Sequence, residues 1–269
     1  MKIRVISALL GLPFSIFIIF LGGNIFNFFV LFITILAMHE FFNALKAGNH
    51  TPYALTGYIA IVILFLFVTY APSFLFFYFV CLILFYLIYL VFHYSARFED
   101  VALSLFGILY IGTLFSSLIL LRQSEYGLLM TFYLLILSWG TDTFAFLIGR
   151  FFGKHKLVPK ISPNKTVEGA IGGLICSSLL SLLYVIYAIN YINIPMPNMP
   201  VVFAISCFGS LFSQLGDLSA SLIKRKCGIK DFGNIIPGHG GILDRFDSLI
   251  FASAYLYLLL FLNNRFMFI

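Results

Sequence analysis

Residues 214–247 read QLGDLSASLIKRKCGIKDFGNIIPGHGGILDRFD, and this stretch decides how the rest of the chain is read. It carries six Lys, Arg or His residues and four Asp residues, while its flanks are almost wholly apolar. The runs at 201–220 and 246–262 have the length and composition of membrane spans. The polar stretch is therefore a loop delivered to a membrane surface, with Asp217 still inside the end of the preceding span. A charge inside a span costs about 2.5–3.5 kcal/mol on insertion scales, so a carboxylate kept there is read as functional.

The rest of the chain agrees with a membrane setting. It is 62% hydrophobic and 10% charged, far from the balance of a soluble domain. Apolar runs place nine spans at 5–21, 25–44, 53–70, 72–92, 101–121, 126–148, 169–190, 201–220 and 246–262. Lipid offers the backbone no hydrogen-bond partners, so these spans are helices. The predicted fold is all-α: a polytopic integral membrane protein of about nine transmembrane helices with a polar, cytoplasmic-side active site. It divides into N-terminal helices, 1–125, and a catalytic region, 126–269, that carries the 214–247 loop.

Basic residues set the expected orientation. Lys2, Arg4, Lys46, Arg97, five residues in 150–165 and five in 224–245 fall in every second loop, 14 of the 16 in all. Only Arg122 and Arg265 lie on the other side. That bias puts the N-terminus and the polar loops in the cytoplasm; the membrane is expected to be a bacterial-type inner (plasma) membrane. The net charge of +6 is thus a topology signal, and no soluble module exists to make it a nucleic-acid signal. Lys2 and Arg4 before an apolar run resemble a signal peptide. No small-x-small site precedes Gly22-Gly23-Asn24, so the first span is expected to stay uncleaved.

Spans one to five carry little chemistry. Glu40, beside His39, is read as snorkelling to the interface or pairing with Lys46, with a substrate contact as the alternative. Glu99 and Asp100, beside Arg97, are read as solvated. The four cysteines lack paired metal-ligand spacing. Cys81, Cys176 and Cys207 read as apolar filler, whereas Cys227 beside Lys226 has a neighbour that could lower its pKa.

The sixth span differs, because Asp142 lies about two turns before Arg150, the first cytoplasmic cation. An intramembrane carboxylate points to a site or pathway. Gly149 and Gly153 have the spacing of a close helix contact. In the following basic loop, Ser162-Pro163-Asn164-Lys165-Thr166-Val167-Glu168-Gly169 is the sharper segment. Ser162 or Thr166 can cap the seventh helix, whose N–H groups together with Lys165 make an anion-binding position.

In the organising loop, Lys224, Arg225, Lys226, Lys230 and Arg245 are a dense set of phosphate partners. Pro237-Gly238-His239-Gly240-Gly241 has little side-chain bulk, so its backbone can approach a phosphate. Asp244 and Asp247 fall at i and i+3, on neighbouring positions of one helix face. With Asp217 they offer the hard oxygen ligands that suit Mg²⁺ held between protein and phosphates. Without phosphates the same residues make a salt-bridged loop whose Asp residues favour a helix N-terminus.

The pattern Ser221-x2-Lys224-Arg225-x4-Lys230-Asp231-x-Gly233-x3-Pro237-x-His239-Gly240-Gly241-x2-Asp244-Arg245-Phe246-Asp247 resembles the signature of phosphatidate cytidylyltransferases, or CDP-diacylglycerol synthases. Asp142 and the 162–169 segment resemble that family's second polar region. The resemblance implies transfer of a cytidylyl group from CTP to phosphatidic acid among membrane lipids, giving CDP-diacylglycerol and pyrophosphate for phospholipid synthesis. On that reading Asp217 and Asp244 bind Mg²⁺, with room for a second cation, and Asp247 and Asp142 support them in catalysis. Lys165, Lys224, Arg225, Lys230 and Arg245 hold phosphates. Ser162, Thr166, Ser221, His239, Gly240 and Gly241 complete the substrate site. A homodimer is one allowed assembly. A transporter using Asp142 and Asp217 for a proton or cation would explain those carboxylates but not the long polar signature. A different lipid phosphate as acceptor also stays open.

Overall fold

The computed structural model describes residues 2–192, 197–236, 238 and 240–266. The chain forms two compact units, Met1–Gln123 with Ile223–Arg245, and Ser124–Leu222 with Phe246–Ile269. The stretch 223–245 of the signature loop therefore belongs with the N-terminal helices.

The helices run α1 Lys2–Leu21, α2 Gly23–Ala47, α3 Ala54–Tyr70, α4 Leu75–Phe92, α5 Phe98–Gly107, α6 Leu114–Gln123 and α7 Gly127–Phe152. After the strands β1 Lys156–Val158 and β2 Ser162–Thr166 come α8 Val167–Ile192, α9 Met199–Lys226 and α10 Leu243–Phe266. A 3-10 turn, Pro72–Phe74, precedes α4, and a π-helical turn, Ile108–Thr113, joins α5 to α6 as one segment. Among the described residues seven helices are long and apolar enough to cross a membrane, which fits an all-α polytopic membrane protein. Length and composition do not reach the expected nine, and α3, at 17 residues, falls just short.

In the first unit, α2 is the centre of the core. Ala37, Met38, Phe41 and Phe42 are buried there with Ile61, Leu64, Ile108, Ile111 and Phe115. Close approach is permitted by glycine: a Cβ on Gly107 would lie 2.8 Å from the Phe41 ring, and one on Gly57 2.6 Å from the Phe42 ring. Asp100, expected to be solvated, is buried instead. It accepts hydrogen bonds from Thr51 at 2.5 Å and from His50 at 3.3 Å, tying the α2–α3 connection to α5.

In the second unit, α7 and α8 pack through small residues, as membrane helices do when no hydrophobic drive separates them from lipid. A Cβ on Gly169 would lie 2.6 Å from the Ala145 carbonyl and 2.9 Å from Gly149 Cα, and Gly173 is equally tight against Ala145. Hydroxyls join α7 to its neighbours: Thr141 Oγ1 lies 3.0 Å from Ser177 Oγ and 2.8 Å from Ser210 Oγ. Further along α7, Tyr133 meets Ser206 at 2.7 Å and Ser138 meets Ser213 at 3.2 Å. These pairings fix the rotation of α9, and thus which way Gln214 and Asp217 point.

Candidate active site

In the second unit the sequence between α7 and α8 folds as a short antiparallel hairpin, β1 against β2, with Val158 opposite Ser162. Pro159 and Pro163 exclude a helix there. Thr166, at the end of β2, accepts the Gly169 N–H at 3.1 Å and caps α8, as its spacing predicts. Its hydroxyl also explains three glycines: a Cβ on Gly149, Gly153 or Gly169 would come within 2.9 Å of Thr166 Oγ1. Glu168, in the first turn of α8, holds the hairpin's start by accepting the Lys154 N–H at 3.1 Å and the His155 ring nitrogen at 2.6 Å.

This scaffold makes a cavity of about 360 Å³ lined by Asp142, Arg150, Asn164, Lys165, Thr166, Gln214 and Asp217 among others. Lys165 Nζ meets Asp217 Oδ2 at 2.5 Å, with both side chains close to 30% exposed, so the pair faces open space. Asp217 Oδ1 accepts the Ser221 hydroxyl at 3.3 Å. Gln214 is oriented by donating its side-chain amide to the Ala170 carbonyl at 3.1 Å. The structure thus gathers Asp142, Lys165, Thr166 and Asp217 at one cavity. It adds Arg150, Asn164 and Gln214, which the sequence reading did not place in a site.

In the first unit a second cluster forms around Asp244. Lys224 Nζ donates to Asp244 Oδ1 at 2.6 Å, and the two side chains are 11% and 4% exposed. Asp244 Oδ2 accepts the N–H groups of Phe232 at 2.9 Å and Gly241 at 3.1 Å. The Lys224 ammonium also sits 5.4 Å above the Phe232 ring, a cation–π contact. Gly240, at φ +89°, takes a backbone conformation that favours glycine, and it pairs with Ile236 to close the turn.

Glu40 corrects its sequence reading. It neither snorkels nor pairs with Lys46 but is 2% exposed, and it accepts the N–H groups of Ile242 and Leu243 at 2.9 Å each. The N–H groups of Gly241, Ile242 and Leu243 are therefore all donated to the chain's own carboxylates. Cys227 is buried too, and burial pushes its thiol pKa up, the opposite of activation by Lys226.

The remaining expected residues are less gathered. Arg225 is exposed and donates to the Ile229 carbonyl at 3.1 Å, and Lys230 and Arg245 are exposed. Asp247 is buried and accepts the Ser248 N–H at 2.7 Å. Ser162 is half-buried at the start of β2. His239 lies outside the described residues.

Residues 2–263 match the cytidylyltransferase family. A stretch of 164 residues is 44% identical to the phosphatidate cytidylyltransferase of Bacillus subtilis (strain 168), covering 61% of this chain and 59% of that protein. The phosphatidate cytidylyltransferase of Staphylococcus aureus (strain COL) is 46% identical over 165 residues, 61% of this chain and 60% of its own length. That of Staphylococcus saprophyticus is 47% identical over 163 residues, with the same shares. In each case the matched stretch spans less than two thirds of the relative. The family match itself runs through the cavity and the Asp244 cluster alike, and the chain belongs to the cytidylyltransferase family.

Proposed function

We propose that this protein transfers the cytidylyl group of CTP to phosphatidic acid, forming CDP-diacylglycerol and pyrophosphate. The observation that carries this reading is the cavity where Lys165 bridges Asp217 beside Asp142, Arg150 and Asn164. It offers cations for a polyphosphate and carboxylates for a divalent cation in one place, on a chain built from apolar helices.

An oxygen of the phosphatidate phosphate bonds to the α-phosphorus of CTP. The α–β phosphoanhydride bond breaks, and its electron pair leaves with pyrophosphate. The nucleophile is already anionic, so no Ser or Cys nucleophile is needed. The difficulty lies in bringing two polyanions together and stabilising charge on the leaving group. Lys165 and Arg150 face the cavity and supply positive charge for this, and the exposed Arg225, Lys230 and Arg245 are proposed as further phosphate partners, while Lys224 is held by Asp244. As Lys165 turns to phosphate, Asp217 is released from its ion pair.

The donor set fits Mg²⁺. Among the described residues no three His, Cys, Asp or Glu gather as a self-sufficient metal site. Mg²⁺ needs none, because it binds through one or two carboxylates and completes its shell with phosphates and water. Asp217 receives one hydrogen bond on each oxygen, from Ser221 and Lys165, and keeps further acceptor capacity. Asp244 receives three and keeps less. We assign Asp217 and Asp244 each as a Mg²⁺-binding carboxylate, with Asp142 and Asp247 in support. When bound, Mg²⁺ neutralises and orients the triphosphate.

The test is to supply the purified full chain with CTP and a panel of lipid phosphates, with Mg²⁺ or with chelator, and to identify the lipid product by mass spectrometry. CDP-diacylglycerol formed from phosphatidate only with Mg²⁺ is the expected result. A product from ether or polyprenyl phosphates but not phosphatidate would reassign the acceptor, and no CDP-lipid from any acceptor would refute the activity.

We further propose that the chain lies in a bacterial-type plasma membrane, as its bacterial relatives suggest, with its active site on the cytoplasmic face, supported by the 14 basic residues in alternate loops. In a background without native cysteines, Lys156→Cys and Asn234→Cys should react only with reagents that enter the cytoplasm. Asn198→Cys should react from outside. Equal labelling of all three from outside would overturn this orientation.

A further inference from the structure

We infer that Glu40, on α2, is the positioning residue of the turn that delivers Asp244 to the reaction, an inference that rests on the function proposed above. The first N–H groups of a helix have no partner within it. Where the chain enters α10, the N–H groups of Gly241, Ile242 and Leu243 are divided between two carboxylates. Glu40 Oε1 takes Ile242 and Oε2 takes Leu243, while Asp244 Oδ2 takes Gly241. Leu243 directly precedes Asp244, so a Glu40 carboxylate held rigidly in the α2 core fixes where the Asp244 backbone begins. The contact joins residues 202 and 203 positions apart in the chain.

Two signature glycines are shaped around this carboxylate. A Cβ on Gly233 would lie 2.6 Å from Glu40 Oε1, and one on Gly241 would lie 2.5 Å from Oε2. Neither is among the glycines with positive φ. Their missing side chains therefore serve room rather than backbone conformation, and the room is for Glu40. With the N–H groups of 241–243 already donated to Glu40 and Asp244, substrate phosphates fall to the lysines and arginines.

The experiment uses the full chain in detergent micelles, with hydrogen exchange at residues 241–245 and steady-state kinetics read on the same preparations. In Glu40→Gln an amide NH₂ opposes a backbone N–H. Exchange at 242–243 should quicken about tenfold, the scale of one buried donor left unpaired. The kcat per folded enzyme should fall about tenfold or more while KM for CTP stays within about threefold, a loss confined to the reacting geometry. Gly233→Ala alone should be comparably harmful, yet add little in a Glu40→Ala background, where its Cβ has space. Unchanged exchange at 242–243 in Glu40→Gln, full kcat per folded enzyme, or an undiminished Gly233→Ala effect without Glu40 would each overturn the inference. If Glu40→Ala does not accumulate, Glu40→Gln alone decides it. Failure of the wild-type protein to make CDP-lipid would refute the function instead, while exchange and the Gly233 coupling still judge whether Glu40 holds the turn.

Discussion

Asp217→Asn and Asp244→Asn are each expected to lower CDP-lipid formation by about a hundredfold or more, the scale of losing one preorganised electrostatic group. Asn keeps the shape and one acceptor oxygen and removes only the charge. The two variants should differ in everything else. Asp217 is 29% exposed at the cavity, so its replacement should leave folding intact and raise the Mg²⁺ concentration needed for activity. Asp244 is 4% exposed, and its replacement leaves the Lys224 ammonium buried without a counter-charge, so stability should fall with turnover. Turnover per folded enzyme across a Mg²⁺ titration separates the two effects. Near-normal turnover with unchanged Mg²⁺ dependence in both variants would show that neither carboxylate binds the metal.

Lys224→Ala is expected to destabilise the first unit by about 3–5 kcal/mol, the usual result of stripping one partner from a buried ion pair. It strands the Asp244 carboxylate and removes the contact with the Phe232 ring. Arg225→Ala, one residue on, should cost within about 0.5 kcal/mol, because Arg225 is exposed. It should weaken substrate use while leaving the fold alone. Denaturant titration of the two purified variants checks the contrast. Equal stability of both would mean that the Lys224–Asp244 pair does not hold the loop.

The contrast also marks what the sequence could not supply. Lys224 and Arg225 are adjacent cations in one polar stretch and read alike as phosphate partners. Only the packing buries the first against Asp244 and leaves the second in the open. The same holds for Cys227, where Lys226 is visible in the sequence and burial is not. Spans were legible because lipid demands long apolar runs, and that signal is local. It weakened at α3, whose 17 residues sit at the edge of the length that a bilayer requires. Thr166 as the cap of α8 was legible because capping acts over three residues. Glu40 was not, since its partners lie some 200 positions away, although its place in an apolar run was the one available signal. Gly241 was read as room for a phosphate; it is room for a carboxylate of the protein itself.

The bond proposed to break lies between the α- and β-phosphorus atoms of CTP, with the α-phosphorus passing to a lipid phosphate. Two parallel incubations of the purified chain with phosphatidate and Mg²⁺, one with α-labelled and one with γ-labelled CTP, test it most directly. The α label is expected in the lipid and the γ label in pyrophosphate, both lost with chelator. Label from the γ position in the lipid, or none from the α position, would contradict it.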